Sequence, residues 1–344
     1  MMEMRQLVKL KDIANYSKGS QINGDELIEG AEFDYLNGGM NPSGKWNEAN
    51  CAANTITVSE GGNSCGYVNY MKKPFWCGAH CYYLYDTVEN THYLYYALKS
   101  QQDRLMKLRS GACMPNIKKG DLGNFEFYFD NDVDEQKNSV QVLSKLEHVI
   151  EARKRELSAL DDLIKARFVE MFYDKGYPVL GWNDVFYTTT GKLDSNAATE
   201  DGEYPFFTCS KEMLRINKFA FDQEALLLAG NNAAGKYDVK YYNGKFNAYQ
   251  RTYVLELKED WSYQLFRYQL EDKLAYLQQQ SLGGLTKYLT MKILGELDFI
   301  IPPIDKQNEF ENYVSQVDKS KVAVQKALDE TQLLFDSLMQ KYFG

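Results

Sequence analysis

The chain has 344 residues, a formal net charge of −9, 44% hydrophobic and 25% charged residues. That length suits about two domains with real cores, and the composition is that of an ordinary soluble globular protein. The acidity argues against a partner held by bulk positive charge, although net charge says little about local patches.

No window approaches ~18 consecutive apolar residues, so no transmembrane span is expected. The opening MMEMRQLVKLKDIANY lacks the apolar core of a signal peptide. Six unevenly spaced cysteines in a chain without an export signal read as reduced thiols in a cytoplasm. The 26 Tyr, 18 Phe and 4 Trp, many in polar runs such as Lys236 to Tyr253, fit a Tyr-rich β-domain or a surface that stacks on a polar ligand.

In chain order, Ala53–Val58, Cys81–Tyr85 and Phe125–Phe129 read as strands, with one helix near His92–Lys107 between the last two. Asp132-Val-Asp-Glu135 has the spacing of a helix cap. The stretch Asp134 to Phe172 that follows holds neither Gly nor Pro. Sampled every 3.5 residues it gives Leu143, Leu146, Ile150, Arg153, Leu157, Leu160, Ile164, Arg167 and Met171, seven of them apolar. This is a coiled-coil seam, on a rod roughly 58 Å long at ~1.5 Å per residue. Gly176-Tyr-Pro178 ends it. Strands are then expected at Ala225–Ala229, Thr252–Leu257 and Leu297–Ile301, a helix at Ser262–Gln280, and a second helix start at Pro302-Pro303 before Asp305.

A shift of about 170 residues lays the chain on itself. Leu10-Lys-Asp-Ile13 answers Trp182-Asn-Asp-Val185, Gly19 answers Gly191, Tyr35 falls on Tyr204, and Gly61 and Gly66 fall on Gly230 and Gly235. Leu122–Phe127 matches Leu294–Phe299, and Gln136 matches Gln307. Adding 171 to the seam gives Val314, Val317, Lys321, Val324, Leu328, Thr331, Phe335, Leu338 and Tyr342, again seven apolar of nine. Residues 1–133 and 176–303 each carry 13 basic and 16 acidic residues. The expected fold class is α+β: two pseudo-symmetric α/β units at 1–133 and 176–303, joined by two long antiparallel helices at 134–175 and 304–344 that form a coiled coil. Two similar surfaces at a fixed separation would suit DNA half-sites about one turn, roughly 34 Å, apart. The charged seam positions Arg153 and Lys321 are expected to meet something other than the partner helix.

This order of elements resembles the specificity subunit of Type I restriction–modification systems over essentially the whole chain. The local signature is a polar turn, a strand, a Pro-rich or acidic step and a Gln near the helix start. It appears as SGACMPNIKKGDLGNFEFYFDNDVDEQ (Ser110 to Gln136) and LGGLTKYLTMKILGELDFIIPPIDKQ (Leu282 to Gln307). The first copy departs from the pattern in having Phe129-Asp130-Asn131 where the second has Pro302-Pro303. The resemblance implies a non-catalytic reader of split double-stranded DNA, one half-site per target-recognition domain. It implies two docked methyltransferase subunits, restriction subunits that join later, and no cofactor held by this chain.

Candidate contacts lie in loops, where Lys and Arg meet phosphates and Asn, Gln and Arg reach base edges. In the first half these are Lys18, Ser20 and Gln21, then Asn63 and Ser64 in the Gly61–Gly66 loop. Lys72 and Lys73, His80, and Arg109, Asn116, Lys118 and Lys119 complete that half. In the second half they are Thr189, Thr190 and Lys192, then Lys211, then Asn231, Asn232 and Lys236 in the Gly230–Gly235 loop. Tyr249, Gln250 and Arg251, and Lys287, Tyr288 and Lys292, complete the set. His80 is expected where Tyr249 and Gln250 sit in the second half.

Other chemistries find less support. Gly230-Asn-Asn-Ala-Ala-Gly235-Lys236 fits G-x4-G-K, but Tyr237 replaces the Ser/Thr and a β-like run follows instead of a helix. Cys77-Gly-Ala-His80-Cys81, with Cys51, Cys65 and Cys113, lacks common zinc spacing. Three histidines, no G-x-S-x-G and no Asn/Asp-Pro-Pro-Tyr leave hydrolase and methyltransferase chemistry without residues. Two rival readings stay open: a nucleotide-binding enzyme using Gly230–Lys236, and a scaffold binding a ligand other than DNA, such as carbohydrate, through its aromatics.

Overall fold

The computed structural model describes residues 5–344 except 89, 112–114, 233–234 and 285. The chain divides into two compact units: Met1–Arg155 with Gln325–Gly344, and Glu156–Val324. Two 40-residue helices, Val133–Phe172 and Ile304–Phe343, each contribute one half to each unit.

In the first unit the strand Arg5–Lys9 pairs antiparallel with Glu126–Asp130. A single helical turn, Leu10–Ile13, buries Leu10 completely. Four antiparallel strands follow in the order Asn15–Lys18, Cys81–Tyr85, Thr55–Ser59, Val68–Met71. Beside them lies a three-stranded sheet of Gly44–Trp46, Phe33–Leu36 and Phe75–Cys77, the last two parallel. The second unit repeats the plan with Val179–Gly181 against Asp298–Ile300, a turn Trp182–Val185 whose Trp182 is fully buried, and one six-stranded sheet. That sheet is continuous because one ten-residue strand, Val239–Ala248, runs through it. In the first unit the corresponding run is cut between Val68–Met71 and Phe75–Cys77 at Lys72-Lys73-Pro74, where proline lacks the N–H a ladder needs.

Every expected strand is present, but the helix of each unit is two. Thr91–Ser100 and Gln102–Met106 break at Gln101, and Tyr263–Asp272 and Leu274–Gln280 break at Lys273. No Gly or Pro marks either break. In the first unit the Gln102 side chain turns to the sheet, accepting from Val68 N at 2.9 Å and donating to Gly66 O at 2.6 Å. Short helices at Lys119–Gly123 and Met291–Leu294 were also not foreseen.

Ladder register corrects three pairings of the repeat. Tyr35 lies opposite Gly44 and Phe206 opposite Leu214, each also beside the parallel strand, so Tyr35 corresponds to Phe206 rather than Tyr204. Ile117 N donates to Glu60 O and Leu289 N to Gly230 O, so Gly230 corresponds to Glu60 and not to Gly61. Glu60 N donates to His80 O and Gly230 N to Arg251 O, which pairs His80 with Arg251. Short insertions between strands shift the offset by one or two residues, which a single shift along the sequence conceals.

All nine seam positions on each long helix are buried or half-buried. In the first unit Leu143 packs with Met339 and Phe343; in the second, Ile164 and Met171 pack with Phe310, Val314 and Val317. Early residues of one helix meet late residues of the other, so the helices run antiparallel within each unit. Asp132 Oδ1 caps the first helix, accepting from Asp134 N at 2.9 Å and Glu135 N at 3.2 Å. The two repeat glutamines do the same work: Gln136 Nε2 donates to Asp130 O at 2.7 Å and Gln307 Nε2 to Pro302 O at 2.8 Å. No helix of the described residues is long and apolar enough to cross a membrane.

Candidate nucleic-acid interface

The ends of equivalent strands converge in each unit. In the first, Lys18 ends its strand and Gly19 passes so close to the end of Phe75–Cys77 that a Cβ would lie 1.9 Å from Cys77 O. Gly191 has the same constraint, 1.8 Å from Ala248 O. Any side chain at either position would collide with a main-chain carbonyl, so the crossing requires glycine.

Around Lys18 the first unit gathers a polar network. Ser20 N donates to Cys77 O at 2.9 Å, and Ser20 O accepts from Trp76 Nε1 at 2.7 Å. Asn37 Nδ2 donates to Gln21 Oε1 at 3.2 Å, and its Oδ1 accepts from His80 N at 3.1 Å. Ser64 Oγ donates to Gly38 O at 2.5 Å. At the centre lies Glu60: one carboxylate oxygen pairs with Lys18 Nζ, and Oε2 is 3.5 Å from His80 Nδ1. Its side chain is 12% exposed, against 44% for Lys18 and 65% for His80. Beneath it, burial first and the Glu60 charge second push the Tyr82 phenol up to about 12. Asn116 joins this floor through bridges to Gly61 and Ser110.

In the second unit Thr190, Gln250, Arg251 and Tyr288 line a cleft of about 280 Å³ with Gly230, Tyr253 and Leu289. Gln250 Nε2 donates to Asp194 Oδ2 at 3.3 Å, and Tyr253 Oη to Leu289 O at 3.1 Å. Asn231 and Asn232 pair in a short ladder with Tyr288 and Lys287. Tyr249 is half-buried, its N–H bound to Phe207 O at 2.8 Å.

Thus Lys18, Ser20, Gln21, Ser64, His80 and Asn116 come together in one unit, and Thr190, Asn231, Gln250, Arg251 and Tyr288 in the other. Lys72 does not join them: it stands against the central helix, 3.6 Å from Glu151 and 4.0 Å from Glu147. Lys73 is exposed in the adjoining turn. Asn63, Arg109, Lys118, Thr189, Lys192, Lys211 and Lys236 are exposed on flanking turns and strand ends, Lys292 is exposed on the short helix Met291–Leu294, and Lys119 Nζ lies 5.7 Å from the Tyr16 ring. Sequence reasoning passed over Glu60, Asn37 and Asp194, because a carboxylate or amide that orients a neighbour has no spacing of its own.

The rival chemistries gain nothing. Asn231–Asn232 is strand and the next element is the strand Val239–Ala248, so no helix N-terminus follows the Gly230–Lys236 run; Ala233 and Ala234 lie outside the described residues. Cys51, Cys65, Cys77 and Cys81 are buried in the core, and Cys113 lies outside the described residues. Among the described residues no three His, Cys, Asp or Glu side chains group to hold a metal.

The sequence matches the profile described as "Type I restriction modification DNA specificity domain" twice, over residues 2–161 and 177–331. It is 37% identical over 144 residues to the EcoDI specificity subunit of Escherichia coli, a match covering 40% of this chain and 31% of that protein. It is 29% identical over 218 residues to a protein of Mycoplasma pneumoniae named as a type I specificity subunit, covering 58% of this chain and 57% of that one. A similarly named protein of Mycoplasma genitalium is 24% identical over 97% of this chain and 92% of its own length. The crystal structure of a Type I system S subunit from M. genitalium superposes with a TM-score of 0.68 at 21% identity, covering 100% of this chain and 97% of that one.

Proposed function

This chain belongs to the Type I restriction–modification DNA specificity family, the non-catalytic component of such systems, and from that premise we propose that it reads a split DNA target with one half-site per unit. The observation that carries the reading is the pair of strand-end clusters: one backbone frame, two sets of side chains. Where the first unit presents Lys18, Glu60, His80 and Asn116, the second presents Thr190, Gly230, Arg251 and Tyr288. An identical frame gives each unit the same approach to a duplex, and different polar groups give each a different base preference. Loop cations supply the salt-dependent attachment to phosphates, and the net charge of −9 is no obstacle to a local basic rim.

The recognition domains are 1–133 and 176–303, and the helices at 134–175 and 304–344 serve as spacer and as docking sites for two methyltransferase subunits, restriction subunits joining that complex. Apolar side chains left exposed on the helices, Leu333 at 72% and Val322 at 70%, support a further partner there. Methylome sequencing of cells with and without this chain tests the proposal. Loss of one split adenine-methylated motif on deletion is expected; an unchanged methylome would reject it.

A further inference from the structure

Glu60 is a carboxylate at the centre of a surface whose proposed partner is a polyanion. Its main chain is fixed at both ends, with its N–H on His80 O and its carbonyl on Ile117 N, each at 2.9 Å. Its oxygens are held by Lys18 and His80, whose side chains are far more exposed than its own. The equivalent position in the second unit is Gly230, where a Cβ would lie 2.4 Å from Arg251 O and 2.9 Å from the Tyr253 ring. There the space is an open cleft, and the residue matching His80 is a guanidinium.

Resting on the DNA-reading proposal above, we infer that Glu60 is a specificity-determining residue that accepts a hydrogen bond from a base exocyclic amine in the half-site read by the first unit. An ionised carboxylate can only accept, and the amines of cytosine N4 and adenine N6 are the donors that bases present in the major groove, Glu being a recognised partner of cytosine. Guanine and thymine present acceptors there, which repel it. Lys18 neutralises the carboxylate in the free protein, and the His80 ring stands beside it. Their exposed side chains turn to phosphates when a duplex arrives, uncovering an acceptor already fixed in place. A carboxylate that merely buttressed Lys18 and His80 would carry no base preference.

The test uses the full chain with its methyltransferase partners, reading the methylated motif by single-molecule sequencing for wild type, Glu60→Gln and Glu60→Asp. Glu60→Gln keeps the shape and adds a donor, so preference at one cytosine or adenine position of one half-site should fall roughly tenfold or more. The other half-site and the gap should persist. Glu60→Asp keeps the charge beside Lys18 and His80 but withdraws the acceptor by one methylene, and should lose the same base while retaining salt-dependent affinity. If Glu60→Gln fails to fold, the Asp variant carries the test. Uniform weakening with an unchanged motif, or relaxation spread over both half-sites, would overturn the inference while leaving the function intact. A wild-type chain that specifies no split motif would instead reject the function, and this inference with it.

Discussion

Lys321 Nζ lies 2.5 Å from Asp161 Oδ1, a seam residue of the C-terminal helix joined to the central helix. Its second partner is Asp318 at 3.5 Å. The charged seam position was expected to meet something other than the partner helix; it is instead part of the helix pairing. Lys321→Glu would place three carboxylates together, and should lower stability by about 1 kcal/mol in low salt, less in high salt. Urea unfolding at two ionic strengths measures both. Assembly with methyltransferase subunits should be unaffected.

Leu143 and Leu333 separate core from surface on the same helical pair. Leu143 is fully buried, and Leu143→Ala should cost roughly 2–5 kcal/mol. Leu333, 72% exposed, should change stability by less than about 0.5 kcal/mol on substitution by Glu. If it faces a methyltransferase subunit, Leu333→Glu should nevertheless weaken co-purification of that subunit.

Gly19→Ala and Gly191→Ala are expected to behave alike. Each drives a methyl into a carbonyl at under 2 Å, and backbone must move to admit it. A loss of about 2 kcal/mol or more in each, seen by thermal denaturation, would match the shared crossing. Alanine at the exposed Gly120, where a methyl would meet nothing within 4 Å, is the neutral control.

Glu147 gives a pH signature. Burial raises its carboxyl above the ordinary value, opposed by Lys72. The folded state therefore holds the proton more tightly, so this contribution is present below the unfolded value near 4.5 and is lost as pH rises through the folded one. Glu147→Gln should be more stable than wild type at neutral pH, with the difference vanishing below about pH 4.5. Chemical denaturation across pH 4–8 reads it.

Inserting one helical turn, about four residues, into both long helices should change the gap between half-sites and leave the half-sites alone. An unchanged gap in the methylated motif would show that the helices do not set it.

Much of this was legible because two periodicities survive in the sequence. The seam at every 3.5 residues located both long helices, since a narrow apolar stripe has only a partner helix to bury it, and the repeat identified that partner. Gly19 and Gly191 were legible as counterparts in the repeat, but the strands Asn15–Lys18 and Phe186–Thr190 that they follow were not. What escaped was anything set by cross-strand register: that His80 answers Arg251 rather than Tyr249 and Gln250, that Glu60 answers Gly230, and that Lys72 turns to Glu147 and Glu151. Such relations join residues far apart in sequence, and one-residue insertions between strands erase them from a linear alignment. The helix break at Gln101 was hidden for a related reason, since the side chains of Gln101 and Gln102 there bond to residues distant in sequence; among the described residues, the break at Lys273 has no such bond to explain it.

The central claim is that each unit reads its own half-site through one shared frame. Arg251, on the rim of the second unit's cleft, tests it most directly. Methylome sequencing with the Arg251→Gln chain in place of wild type should show one half of the split motif altered, with the other half and the gap retained. A motif changed in both halves together, or in neither, would contradict it.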